Sequence, residues 1–175
     1  MQNEVSLSRA EPFEGAHAWR VFIECSWALT DILDAELQAA VGMSIRWYDV
    51  LVHLEDAHGG LRMNELADHI LHSKSGLTRV IDRMEEEGLV RRERPRHDRR
   101  VVLVFLTPTG KKALRSARVA HRDGIRRHFT EHLSPEDRND VARALEHVRT
   151  HVRPLRPGRV SAPPERTRAR ASKAQ

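Results

Sequence analysis

The sequence predicts a mainly α-helical chain carrying one small β-hairpin. Three observations carry this. Apolar residues recur at helical spacing along most of the chain, aromatics are only 5% while charged residues reach 31%, and one window near residues 89–106 breaks the helical period with two strand-like runs around a charged loop. At 175 residues and 39% hydrophobic content the chain can bury one sizeable core, so one domain with tails is expected. No run approaches the roughly 18–20 apolar residues of a membrane span, and the acidic N-terminus does not read as a secretory leader. The single cysteine, Cys25, excludes an intramolecular disulfide framework. A reduced, cytoplasmic protein is the expectation.

From Trp19 to Val41, the positions Trp19, Phe22, Ile23, Leu29, Ile32, Leu33 and Leu37 follow a 3.6-residue period and predict one long helix. Its apolar arc is broader than one small core can cover, which points to a partner subunit. Ser44 reads as the N-cap of a second helix through Trp47, Val50, Leu51 and Leu54, closed by Gly59-Gly60. Leu61–Met63 fits a very short strand.

Two short helices follow, Asn64–Leu71 and Ser73–Glu87, the second with Leu77, Ile81 and Met84 inward. A turn this brief forces a steep crossing, which is a helix-turn-helix, and it leaves the N-terminal turns of the second helix facing outward. Those turns carry Ser73, Lys74, Ser75, Thr78 and Arg79, all able to donate to phosphates or base edges, while Glu85-Glu86-Glu87 falls at the far end. Gly88 closes the helix. Leu89–Glu93 and Val101–Leu106 then read as strands enclosing a basic tip with Arg96, Arg99 and Arg100 beside Asp98. Clustered like charges call for an anion, and a phosphate backbone or a narrow minor groove would supply it. Arg91, Arg92 and Arg94 divide evenly between such contacts and guarding a strand edge.

Thr107-Pro108 and Ser134-Pro135-Glu136-Asp137 each combine an N-cap with proline at the first helical position. They open helices running to about His132 and about Val152, the last with Val141, Leu145, Val148 and Val152 on one face. Beyond Arg153 the chain is rich in Pro, Arg and Ala, which predicts a disordered basic tail. That tail explains the high overall basicity: residues 153–175 hold 7 basic and 1 acidic groups, whereas residues 1–71 hold 4 and 12. Net charge alone therefore does not argue for nucleic-acid binding.

This order of elements, with the run GLTRVIDRMEEEGLVRRERPRHDRRVVLVFLTPTG, resembles the MarR family of bacterial regulators over about residues 16–152. Its most specific part is Asp98-Arg99-Arg100 followed by Leu106-Thr107 and Gly110, with Leu89-Val90 after Gly88. The resemblance implies a winged helix-turn-helix at about 44–106, dimerisation helices at about 16–41 and 107–152, a flexible segment 1–15 and a tail 153–175. It implies a homodimer whose recognition helices, through Ser73, Lys74, Ser75, Thr78 and Arg79, read a pseudo-palindromic double-stranded operator. Arg96, Arg99 and Arg100 would match the wing, braced by Asp98, whose carboxylate can fix one guanidinium by a bidentate pair.

The family also implies a crevice for a small aromatic or anionic effector, for which Trp19, Trp27, Trp47 and Tyr48, with Arg46 and His53 as polar handles, are the candidates. Core packing is the competing role for each aromatic. The reading is a DNA-binding transcription regulator, a repressor released by its effector, and not an enzyme; a non-specific architectural DNA-binding protein is the alternative. His128-x-x-Glu131-His132 matches an inverted zinc-peptidase pattern, but no third ligand stands nearby and His147/His151 repeats the spacing, so no metal or cofactor is assigned. Cys25, within an apolar helix, reads as a buried structural residue.

Overall fold

The computed structural model describes residues 15–70, 76–95 and 101–152. The order is α1 (Ala16–Val41), α2 (Ile45–Asp56), β1 (Leu61–Arg62), α3 (Met63–His69), α4 (Leu77–Glu86), β2 (Val90–Glu93), β3 (Leu103–Leu106), α5 (Pro108–His128), a single 3-10 turn at Thr130–His132 and α6 (Pro135–Val152). The chain divides between His132 and Leu133 into two compact units, the second of which contains α6. The mainly helical class with a small sheet is as the sequence predicts.

Local chemistry sets most boundaries. α1 stops at Gly42, whose left-handed φ of 66° turns the chain while its N–H still bonds Gln38 O at 2.9 Å. Ser44 caps α2 by accepting from Trp47 N at 3.2 Å, and Asp34 of α1 accepts from Ile45 N at 2.7 Å. Two otherwise orphan donors are thus satisfied, one of them by a neighbouring helix, which fixes the α1–α2 corner.

The core gathers Val50, Leu51 and Leu54 of α2, Leu66 of α3 with Ile70 just past its end, Leu77, Ile81 and Met84 of α4, and Leu114 and Ala117 of α5. Each fully buried Leu or Ile stabilises by about 1.5–3 kcal/mol relative to exposure. The sheet is three-stranded and antiparallel in the order β1-β3-β2, so β1 joins the hairpin on its far side. Leu61 pairs with Val104 and Val90 with Leu106, which turns Val104 and Val90 into the core. α1 lies along α5, with Gly124 at the contact: a Cβ there would meet the side-chain ends of Leu33, at 2.6 Å from Cδ2, and of Glu36, at 2.7 Å from Oε2.

Two expectations need correction. The helix opened by Thr107 ends at His128, four residues early, because Phe129 leaves helical geometry at φ −133° and ψ −62°. The helix expected from Ser73 begins at Leu77, because Gly76 sits at φ 89°, a left-handed conformation through which a right-handed helix cannot run.

Candidate nucleic-acid interface

α4 separates its two faces sharply. Leu77, Ile81 and Met84 are buried, whereas Thr78 and Arg79 in the first turn are exposed. Of the five residues expected to read DNA, these two are placed on the outward face; Ser73, Lys74 and Ser75 lie outside the described residues. Arg46 stands near the start of the same helix, its guanidinium 3.7 Å from where a Cβ on Gly76 would be. It thus adjoins the start of α4, a neighbour its sequence position did not disclose.

The wing tip, with Arg96, Asp98, Arg99 and Arg100, also lies outside the described residues. Its supporting strands are described, and their three arginines do different things. Arg91 lies over the Phe105 ring, 4.6 Å from the centroid, and pairs with Glu93. Arg92 turns the other way onto α4, where it meets Asp82 at 2.7 Å and Glu85 at 2.8 Å. Arg94 is exposed beyond the end of β2.

A compact joint ties the segment between α4 and β2 to α5. Thr107 Oγ1 caps α5 by accepting from Gly110 N at 3.0 Å and donates toward Gly88 O at 2.6 Å, with Leu89 O at 3.0 Å; its backbone N–H bonds Leu89 O at 3.1 Å. Gly110 is required by close approach, since a Cβ there would lie 2.1 Å from Leu89 O. The Thr-Pro-x-Gly signal is therefore a tertiary device as well as a cap. It holds the Gly88-Leu89 segment between α4 and β2 on the first turn of α5.

The sequence profile described as MarR family matches residues 41–101. The crystal structure of AbsC, a MarR family transcriptional regulator from Streptomyces coelicolor, is 38% identical, with 78% of this chain and 93% of that chain covered and a TM-score of 0.70. The chain belongs to the MarR family. A second MarR family regulator of Streptomyces coelicolor, Sco3205, solved in complex with DNA, is 33% identical over 78% of this chain and 86% of that one, with a TM-score of 0.71. The Bacillus subtilis HTH-type transcriptional regulator YfiV is 35% identical over 103 residues, 59% of this chain, and the match spans 63% of that protein's length. MarR family proteins are transcriptional regulators and not enzymes, and this member has a mostly helical winged-helix fold with a small three-stranded antiparallel sheet.

The MarR-family chain distributes its six effector candidates unevenly. Trp19 and Trp27 are exposed on α1, at 59% and 68%, with Trp19 against Phe22 at 6.1 Å between centroids. Trp47 and Tyr48 pack against the core. Tyr48 stacks on His121 of α5 at 4.4 Å. Burial raises the Tyr48 phenol above its ordinary value, with the Arg118 guanidinium pulling it back, and burial lowers the His121 imidazole. His53 lies 3.4 Å from Asp49 one turn earlier. His121 and Arg118 were not singled out by the sequence, and no local pattern marks them: they reach Tyr48 only because α5 crosses α2.

Two grooves are lined by other residues. One of about 430 Å³ lies among Leu54, Asp56, His58, Phe105 and Lys111. The other, of about 370 Å³, lies among Val41, Met43, Thr109, Lys112 and Ser116.

The zinc-peptidase spacing dissolves in three dimensions. His128 Nε2 is bonded to Glu36 Oε1 at 2.7 Å, Glu131 pairs with Arg126 at 2.6 Å, and the break at Phe129 puts Glu131 and His132 off the helix that carries His128. The His128 bond, with Arg127 beside it, holds the Glu36 carboxyl below its ordinary value. Among the described residues, no group of three or more His, Cys, Asp or Glu is placed to hold a metal. Cys25 is exposed and not buried. The reason is that α1 buries only Leu33 and Leu37, both in its C-terminal half. No described helix is long and apolar enough to cross a membrane.

Proposed function

We propose that this MarR-family regulator binds a pseudo-palindromic double-stranded operator as a homodimer and acts as a repressor released by a small aromatic or anionic effector. The observation that carries the DNA reading is the outward first turn of α4, with Thr78 and Arg79 exposed above a buried Leu77, Ile81 and Met84. The DNA complex of Sco3205 supports it in a relative of the same fold. Ser73, Lys74, Ser75, Thr78 and Arg79 read bases and phosphates, while Arg96, Arg99 and Arg100, oriented by Asp98, hold the backbone or enter the minor groove.

The dimer reading is supported by apolar surface that a single chain leaves uncovered. Trp19, Val21, Phe22, Trp27 and Ile32 are exposed on α1, and Leu145, Val148 and Val152 on α6. Exposed apolar surface on this scale marks an association face. The effector reading rests on Tyr48, Trp47, Arg46 and His53 of α2 with Trp19 and Trp27 of α1, to which His121 and Arg118 are now added. An effector releases DNA by preferring a spacing of the two recognition helices that the operator does not fit.

Selection of bound fragments from randomised duplex DNA at near-physiological salt tests this, with Lys74→Ala and Arg99→Ala beside the parent. A two-fold-related motif, weakened in both variants, is the expected outcome. Binding without a motif would favour the architectural reading, in which the basic tail supplies sequence-independent affinity.

A further inference from the structure

We propose that Arg92 is a positioning residue that clamps the wing to the recognition helix and so sets the angle at which the two meet DNA. The sequence leaves Arg92 divided between a phosphate contact and an edge guard. Its surroundings decide otherwise. Nη1 donates to Glu85 Oε2 at 2.8 Å and Nη2 pairs with Asp82 Oδ1 at 2.7 Å, while Nη2 also reaches Thr78 O at 3.3 Å. The other Glu85 oxygen, Oε1, accepts from the Arg92 backbone N–H at 2.7 Å.

Four contacts thus join one residue of β2 to one stripe of α4. Thr78, Asp82 and Glu85 are spaced four and three apart, which stacks them on one helix face. β2 is an outer strand of the sheet, and an outer strand presents N–H groups with no strand to receive them. Glu85 receives the one from Arg92, so the same carboxylate anchors both backbone and side chain. The Arg92 side chain is 23% exposed, against 48% for Asp82 and 38% for Glu85, so the guanidinium is the shielded member and the carboxylates reach it from the solvent side.

The arrangement needs arginine. A planar guanidinium can face two carboxylates and a carbonyl at once, whereas a lysine ammonium is a point charge at the end of a flexible stem. With two carboxylates against it, the Arg92 charge is already neutralised. It is therefore not available to displace counterions from a phosphate. Its contact with Thr78 O ties it to the backbone of a residue proposed to read DNA, and this functional half of the inference rests on the proposed function.

Two measurements on the full-length chain test the clamp, using Arg92→Met, Arg92→Lys, Glu85→Gln and the Arg92→Met/Glu85→Gln pair. Methionine keeps the apolar stem and removes the fork. In amide hydrogen exchange without DNA, Arg92→Met is expected to speed exchange in β2 and β3 by about tenfold, leaving the α1–α5 contact unchanged. Lysine should restore part of the protection, and the double variant should lose no more than Arg92→Met alone. Unchanged wing exchange, or fully additive losses, would overturn the clamp.

In duplex binding, Arg92→Met should lower affinity for the selected motif by about tenfold while random-duplex affinity and the salt slope stay as in the parent. A salt slope reduced by about one would mark Arg92 as a phosphate contact and overturn the inference. A parent that selects no motif would remove the DNA-reading proposal, and the exchange data would still decide the clamp.

Discussion

The lobe built from α2 to β3 and the long helix α1 treat their apolar residues in opposite ways. The lobe's apolar residues share one core with α5: Val50, Leu51, Leu66, Ile81, Met84 and Val104 are all fully buried within one chain. α1 has 26 residues and a broad apolar arc, yet buries only Leu33 and Leu37, and leaves Trp27 68% exposed. Hydrophobic burial is the main favourable term in folding, so a residue that stays wet adds little to the stability of the single chain. The same residue becomes decisive once a second surface covers it. The contrast separates a part whose apolar residues share one buried core with α5 from a helix whose apolar arc stays largely exposed in the single chain.

The largest expected effect tests the shared core. Leu51→Ala should cost about 2–5 kcal/mol of unfolding free energy, because it leaves a cavity among fixed neighbours. Urea denaturation reads this directly, and a loss under about 1 kcal/mol would contradict the packed-core description. Gly110→Ala should cost about 3 kcal/mol, at the top of the overpacking range, because the new methyl meets the Leu89 carbonyl rather than a movable side chain. The expected signature is a lowered melting temperature, with the wing amides exchanging faster.

On the open helix the prediction inverts. Trp27→Ala should leave unfolding of the isolated chain nearly unchanged but weaken self-association by about 2 kcal/mol or more, the scale of an interface anchor. Sedimentation across a concentration series checks it, and an unchanged association constant would sever α1 from the proposed dimer. Thr107→Val comes next. It removes the α5 cap and the hydroxyl bond to Gly88 O, for about 1–2 kcal/mol, and should loosen the link between lobe and α5.

The smallest effect is a pH dependence. Burial lowers the His121 imidazole below its ordinary value of 6.5, so the unfolded chain binds that proton more readily than the folded one. Stability is therefore expected to fall as pH drops below about 6.5, until the folded imidazole itself titrates. His121→Phe keeps an aromatic ring on Tyr48 and removes the titration. The gap between denaturation midpoints at neutral and mildly acidic pH should narrow in the variant; an equal gap would assign the dependence elsewhere.

Both N-caps with proline were legible in the sequence because they are local: Thr107-Pro108 and Ser134-Pro135 open α5 and α6 at the predicted residues. Ser44 was legible for the same reason. The start of α4 was not, since Ser, Lys and Ser are as compatible with a first helical turn as with the loop before one, and only the left-handed Gly76 decides it. β1 was visible as a short strand but not as a partner of β3, because pairing joins residues 43 positions apart, as at Leu61 and Val104. Arg92 looked like one basic residue among several. Its carboxylate partners stand 7 and 10 positions earlier on another element, a relation no helical or strand period encodes.

By itself the sequence determined the order and kind of the elements, the caps that start and stop them, and which residues of α4 face inward. Those properties follow from backbone preference and hydrophobic period, which act over a few residues. Tertiary structure alone decided that His128 is bonded to Glu36 rather than set beside Glu131, that Tyr48 meets His121, and that Arg92 is turned from solvent onto Asp82 and Glu85. Each depends on how two elements cross. A charged or aromatic side chain takes its role from whatever partner that crossing brings within hydrogen-bond or ring-contact distance.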